Sequence, residues 1–244
     1  MYSKLLSQKR KWKPINPVYT PVVQGAEEVL SRALSLRIME LSVADFLDNA
    51  TKKDLPLDED GMTLIRDNMS DESVHDMALN NLVASLPFSC DYPEAHQFKA
   101  FANELANKTH PIETVRTIEV GIFFIVLPIL RFFGNSAAKT VASDISGDER
   151  IHVATHTKIS KDIQTFTAYK ELSDFRREVV AWMTSPLSPD KVPAAYSKYA
   201  SQDFWLKQSD SLYFEGKADG LKDTKKGSYL AFFEIDRRNQ PRYN

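Results

Sequence analysis

Most of the chain has the periodicity of α-helices. From residue 22 to about residue 49, apolar side chains such as Val29, Ala33 and Leu36 recur every three or four positions and so share one helix face. The same spacing predicts further helices over residues 62–86, 94–107, 111–133, 136–163 and 164–183. Pro128 should kink or locally widen the helix that contains it. Only 8 of the 244 residues are glycine, which also favours helices, and we expect an all-α fold.

The two ends of the chain lack this periodicity. Residues 1–20 are rich in basic residues and proline, and we interpret them as an extended, solvated arm. Residues 185–244 begin with closely spaced prolines and continue with many aromatic side chains, which predicts a second arm of short strands or turns. The helical part, residues 21–184, lies between them. Arms of this length favour contacts with neighbouring subunits, in a homo-oligomer or a larger protein assembly.

Composition and charge exclude several classes of protein. Charged residues make up 26% of the chain, too many for a conventional membrane protein. The most apolar stretch, residues 120–130, is shorter than the roughly 20 residues that a membrane-spanning helix needs. The net charge of −2 lacks the positive excess of a nucleic-acid-binding protein. Cys90 is the only cysteine and no secretory signal pattern is visible, so we expect a cytoplasmic protein.

Acidic side chains interrupt the apolar faces of the predicted helices. Four helices each carry one glutamate in the middle of the apolar stripe, and two of them carry a histidine three positions later, on the same face. The residues are Glu40, Glu72 with His75, Glu119, and Glu149 with His152. Burying four carboxylates without partners would cost many kcal/mol. Two divalent cations would remove that cost, so we predict a dinuclear metal centre.

An internal repeat supports this prediction. The sequence Asp-Glu-x-x-His occurs twice, at Asp71–His75 and at Asp148–His152. In each half of the chain, a helix with a single glutamate precedes a helix with Glu-x-x-His, at nearly the same spacing. Two such helical hairpins can form a four-helix bundle with two metal ions at its centre.

These motifs resemble those of the ferritin-like di-iron carboxylate superfamily. This superfamily includes bacterioferritin, the ribonucleotide reductase small subunit and the bacterial multicomponent monooxygenases. The resemblance covers about residues 22–165 and implies a ferritin-like four-helix bundle with an additional helix and terminal arms. It implies that the six glutamates and histidines are metal ligands, with two Fe ions as the cofactor and Mn as the alternative. It also implies that Asp71 and Asp148 accept hydrogen bonds from the non-ligating histidine nitrogens across the bundle.

Two positions depart from the patterns of these families. Leu79 occupies the place of the radical tyrosine of the reductase subunit, which argues against a tyrosyl-radical role. Phe123 stands where the monooxygenases carry a threonine, and it predicts an apolar wall beside the metals. His156 lies one turn beyond His152 and is either a seventh ligand or proton relay, or a hydrogen-bonded structural histidine.

Three functions are consistent with these features. The first is a di-iron or Fe/Mn oxidase or oxygenase that activates O₂, with Glu40, Glu72, Glu119 and Glu149 in the catalytic centre and a small apolar substrate. The second is a structural or assembly protein in which the metal site is stabilising and the arms bind neighbouring subunits. The third is ferritin-type iron oxidation and storage.

Overall fold

The computed structural model describes residues 2–53, 55–163 and 170–216, and these residues are all-helical, with no strand among them. The first five α-helices are α1 (Tyr2–Leu6), α2 (Glu27–Ser35), α3 (Glu40–Thr51), α4 (Glu59–Ala84) and α5 (Pro93–Lys108). The next five are α6 (Pro111–Ile118), α7 (Phe124–Phe133), α8 (Ser136–Asp162), α9 (Lys170–Thr184) and α10 (Gln202–Glu215). The prediction of an all-α fold is therefore confirmed for the described residues.

Polar side chains define where the long helices begin. The carboxylate of Asp58 accepts a hydrogen bond from the Gly61 amide at 2.8 Å at the start of α4. The side chain of Asn135 accepts one from the Ala138 amide at 2.9 Å at the start of α8. Each such cap satisfies an amide that the helix leaves unpaired and is worth about 1 kcal/mol. These caps help to set where the two Glu-x-x-His helices begin.

Two of the predicted helices are interrupted beside a glutamate. The helix predicted over 22–49 is divided by a 3₁₀ turn, Leu36–Met39, and α3 begins at Glu40 itself. The helix predicted over 111–133 contains a π-helical segment, Glu119–Phe123, between α6 and α7. The local widening predicted from Pro128 is therefore present. The π-helical segment ends at Phe123, directly before Phe124, whose carbonyl group is the one that the ring of Pro128 would approach.

The helices that carry the four glutamates pack around one interior. Helix α3 packs on α4 and α6, and α8 packs on α4, α6 and α7. The apolar stripes predicted from the sequence form the core, and Leu47, Ile122 and Ile145 are fully buried there. Among the described helices, none is both long enough and apolar enough to cross a membrane.

The expectation of an extended C-terminal arm is wrong for residues 202–215, which form α10. One face of α10 is buried against the rest of the chain through Trp205, Ser209, Leu212 and Tyr213, which recur at helical spacing. The aromatic side chains thus cover the protein's own helices α7 and α9 and the π-helical segment. Residues 217–244 of that predicted arm, and residues 164–169 of the helix predicted over 164–183, lie outside the described part of the chain.

Candidate metal centre

The four predicted glutamates converge in the interior. Glu40 begins α3, Glu119 begins the π-helical segment, and Glu72 and Glu149 lie in the middle of α4 and α8. Each is at most 1% exposed, although glutamate side chains on helices usually face the solvent. Their burial, predicted from the stripes, is confirmed.

Both histidines direct Nδ1 toward these carboxylates. His75 Nδ1 lies 3.9 Å from Glu40 Oε2 and 3.3 Å from Glu149 Oε1. His152 Nδ1 lies 3.7 Å from Glu119 Oε1 and 3.6 Å from the same Glu149 oxygen. The two rings are 5.7 Å apart between centroids. The cluster therefore has two halves, each with one histidine and one glutamate of its own.

Glu72 and Glu149 lie between the two halves. One oxygen of Glu72 is 3.6 Å from His75 Nδ1, and the other is 3.3 Å from His152 Nδ1. Two groups of residues each place one ligand atom per residue so that all ligand atoms of that group lie within 4.8 Å of one another. Both groups include Glu72. The groups are Glu40, Glu72, His75 and Glu149, and Glu72, Glu119 and His152. This is the geometry of two neighbouring cation sites with shared carboxylates.

The atoms that face one another have no hydrogen-bond partner within the described residues. This holds for both Nδ1 atoms and for every carboxylate oxygen of the four glutamates except Glu119 Oε2. A buried polar atom without a partner costs about 1–3 kcal/mol, and more when it is charged. So many unsatisfied atoms in one place are rare in folded proteins. Divalent cations would satisfy them, so the residues present fit a dinuclear metal centre.

The pKa values of the carboxyl groups separate into two pairs. Burial, together with the charge of Glu72, raises the pKa of Glu40 well above its usual value. Burial and the charge of Glu149 do the same for the pKa of Glu119. Burial also acts to raise the pKa of Glu72 and of Glu149, but the two histidines beside them outweigh it and lower both values. Without metal, Glu40 and Glu119 therefore keep their protons to a higher pH than Glu72 and Glu149 do.

Both histidines are held in the charged form when no metal is present. Burial alone would lower the pKa of His75, but the hydrogen bond to Asp148 and the nearby carboxylates of Glu149 and Glu72 raise it well above its usual value. Burial also opposes the charge of His152, yet Glu149 and Glu72 raise its pKa to about 10. Protons on these groups occupy the positions that a cation would take.

The outward nitrogens of the histidines are bound by the two predicted aspartates. His152 Nε2 lies 3.0 Å from Asp71 Oδ2, and His75 Nε2 lies 3.4 Å from Asp148 Oδ2. Each aspartate belongs to the helix opposite its histidine, so the pairing across the helices is confirmed. A carboxylate at Nε2 fixes the ring orientation, leaves Nδ1 free for a metal and makes it more basic.

The N-terminal segment covers these aspartates. The sequence analysis did not predict this contact. Trp12 Nε1 donates a hydrogen bond to Asp148 Oδ2 at 2.6 Å, and the Lys9 ammonium forms an ion pair with Asp71. Arg10 pairs with Asp144 at 3.4 Å. The interpretation of residues 1–20 as an extended, solvated arm is therefore wrong for residues 2–6, which form α1, and for Lys9, Arg10 and Trp12, which dock on α4 and α8. The two aspartates add negative charge to the cluster, and the basic segment neutralises it.

His156 is a hydrogen-bonded histidine and does not belong to either ligand group. Its Nδ1 lies 2.6 Å from Glu119 Oε2, and its Nε2 lies 3.3 Å from the side-chain amide of Asn68. Burial and the charge of His152 lower its pKa to about 3, so the ring is neutral. A neutral ring that donates from Nδ1 orients Glu119, as the structural alternative predicts.

Apolar side chains and the C-terminal helices enclose the cluster. Phe123 and Leu79 are each 1% exposed, consistent with an apolar wall. The π-helical segment that carries Glu119 is fixed from outside, because the Ser209 hydroxyl donates a hydrogen bond to the Gly121 carbonyl at 2.7 Å. Fully buried Arg176 donates to the same serine at 2.7 Å and packs against Gly121. Helices α9 and α10 thus hold one ligand segment in place.

Comparisons of the chain with protein-family models, with curated proteins and with solved structures find no match. The chemistry of this centre is therefore argued from its residues alone. Four carboxylates and two imidazoles favour divalent Fe or Mn over soft metals, which prefer sulfur ligands.

Proposed function

We propose that this protein is a dinuclear metal oxidoreductase that uses O₂, with two Fe ions as the metal and Mn as the alternative. The observation that carries the proposal is the set of buried carboxylate oxygens and Nδ1 atoms that face one another without hydrogen-bond partners. In the same proposal, helices α3, α4, α6–α7 and α8 form a ferritin-like bundle. The reciprocal Asp–His pairs between α4 and α8 support this interpretation.

The geometry assigns a role to each side chain. Glu40 and His75 would hold one cation, and Glu119 and His152 would hold the other. Glu72 and Glu149 would contact both, because each lies within 3.6 Å of the two Nδ1 atoms. Their four negative charges balance two divalent cations, so the loaded centre is neutral in its buried environment.

Two ferrous ions, when bound, supply electrons for the reduction of O₂. The residues of the chain control the conditions of that reaction. Asp71 and Asp148 hold the Nε2 protons of the histidines and fix both rings. Phe123 and Leu79, both buried, would form an apolar wall that keeps water away from the centre. His156 holds a proton on Nδ1 at 2.6 Å from Glu119, where this N–H would stabilise negative charge on that carboxylate.

The first test is metal content after anaerobic reconstitution with Fe(II) or Mn(II). We expect two ions per chain, and fewer in Glu149→Ala, which removes a carboxylate between the two sites. Glu104→Ala is the matched control, because Glu104 is an exposed glutamate whose ion-pair partner among the described residues is Lys108, at 3.8 Å. Fewer than one ion per chain in the unaltered protein would overturn the metal centre.

The second test separates catalysis from stabilisation. The ferrous protein is mixed rapidly with O₂, and its near-ultraviolet and visible absorption and its O₂ consumption are followed. We expect a transient absorption change and consumption of O₂ that Glu104→Ala retains and Glu149→Ala loses. Two bound ions with no reaction toward O₂ would overturn the oxidoreductase and leave a stabilising metal site.

A further inference from the structure

A second site lies on the outer face of α8, away from the metal ligands. It is a groove with a volume of about 560 Å³, in the usual range for small-molecule sites. Residues 150, 151, 153, 154, 157, 158 and 161 form its long wall, and their spacing places them on one helix face. Helices α1, α7 and α10 and the π-helical segment contribute the other walls.

The floor of the groove is apolar. Side chains from five elements of the fold meet there: Leu5, Val120, Phe124, Ile151, Val153 and Leu212. Val120, Phe124, Ile151 and Leu212 are almost fully buried, so this surface is fixed by the packing of the protein. Such a floor removes apolar ligand surface from water, at about 25 cal/mol per Å².

The charged side chains that line the groove are all basic. They are Arg150, Lys158 and Lys161, and no carboxylate of the described residues lines it. Asp162 lies nearby but pairs with Lys158, and its other contact is the Tyr2 hydroxyl at 3.4 Å. Within the described part of the chain, no carboxylate forms an ion pair with Arg150 or Lys161. The groove therefore combines an apolar floor with two cationic groups that have no carboxylate partner there.

We propose that this groove binds an amphipathic anion, a molecule with an unbranched alkyl chain and one carboxylate head group. The alkyl chain would lie on the apolar floor, and the head group would pair with Lys161 at one end of the long wall, while Arg150, about three helical turns away, adds positive potential to the groove. The charge of the lining selects an anion over a cation or a neutral alkane. This proposal does not rest on the metal centre, because none of the groove residues is a metal ligand.

The position of the groove connects it with the centre. Ile151 precedes His152 on α8, and Val120 follows Glu119 in the π-helical segment. An occupant of the groove therefore contacts the two backbone segments that carry the ligands of one half of the cluster. Measuring the metal-free and the metal-loaded protein separately shows whether binding depends on the centre.

The test is calorimetric titration of the full chain with sodium dodecanoate below its micelle concentration. We expect one saturable site, with or without metal, and at least about tenfold weaker binding in the double variant Arg150→Gln/Lys161→Gln. Lys139→Gln is the matched control, because Lys139 is an exposed lysine of α8 outside the groove. Dodecyltrimethylammonium has the same chain with a positive head group and should bind at least about tenfold more weakly than dodecanoate.

A second variant tests the location without removing charge. Ala154→Phe should fill the groove and abolish dodecanoate binding while the thermal unfolding temperature stays near that of the unaltered chain. Absence of a saturable site, equal affinity for the cationic analogue, or equal losses in the double variant and in Lys139→Gln would each overturn the proposal. Failure of metal binding in the earlier test would leave this result unaffected.

Discussion

Metal binding should release protons, because the metal-free cluster holds protons on atoms that a cation would contact. Four groups have raised pKa values: Glu40, Glu119, His75 and His152. The two histidines therefore favour their charged form near neutral pH, and the pKa of His152 is about 10. The carboxylates of Glu72 and Glu149 have lowered pKa values and are ionised.

The size of the effect follows from this count. Two divalent cations need all six ligands without protons, so binding releases at least the two histidine protons per chain, and more from Glu40 and Glu119 at lower pH. Each proton changes the binding free energy by about 1.4 kcal/mol per pH unit. The combined affinity for two cations should therefore rise by at least about two decades, or about 3 kcal/mol, per pH unit near neutrality. The direction is fixed, because a ligand with a raised pKa must lose its proton before it binds.

The assay is calorimetric titration with Mn(II), which is stable in air, in buffers of different ionisation enthalpy. The dependence of the observed heat on the buffer gives the number of protons released. Glu40→Gln provides the internal check, because it removes a carboxyl group with a raised pKa and should lower the number of protons released as the pH is decreased. An affinity that does not change between pH 6 and pH 8, or a release of fewer than about two protons, would refute the reasoning.

Two further predictions concern the surroundings of the cluster. Trp12→Phe removes the 2.6 Å hydrogen bond to Asp148 and should lower the free energy of unfolding, measured by urea denaturation, by about 1–3 kcal/mol. Tyr19→Phe, at an exposed position, is the control and should have no effect. Equal stabilities of the two variants would contradict the role given to Trp12. Gly121→Ala places a methyl group against the side chain of Arg176, and it should lower the free energy of unfolding by about 1–3 kcal/mol and weaken metal binding. A variant as stable as the unaltered chain would show that Arg176 does not hold the π-helical segment in place.

The ligands were predictable because they lie at fixed spacing on helices. A glutamate in an apolar stripe and a histidine three positions later share one face, so Glu72 with His75 and Glu149 with His152 were visible in the sequence. The repeat then indicated which helices belong together. Burial of all six side chains followed from the stripes and is confirmed.

The remaining features depend on contacts that leave no periodic signal. Lys9 and Trp12 lie in an irregular segment and contact partners that are 62 and 136 residues away. The signal in the sequence was the excess of basic residues in this segment, which can neutralise the charge of Asp71 and Asp148. Helix α10 was missed because nearby prolines and aromatic residues favoured turns, although Trp205, Ser209 and Leu212 have helical spacing. Pro128 predicted only that the helix would widen somewhere nearby. The position of the π-helical segment depends also on tertiary contacts with Arg176 and Ser209, which are not visible in the local sequence.

The contact between Trp12 and Asp148 has a consequence for assembly during synthesis. At about 5–20 residues per second, the ribosome needs roughly 7–27 s to add the 136 residues that separate the two partners. Until then neither Trp12 nor Arg10 can dock on α8, where their partners Asp148 and Asp144 lie, even though helices α3 and α4 are already complete. The segment around Trp12 is thus synthesised early but docks late, and the ligand cluster stays accessible to ions until this segment packs on α8.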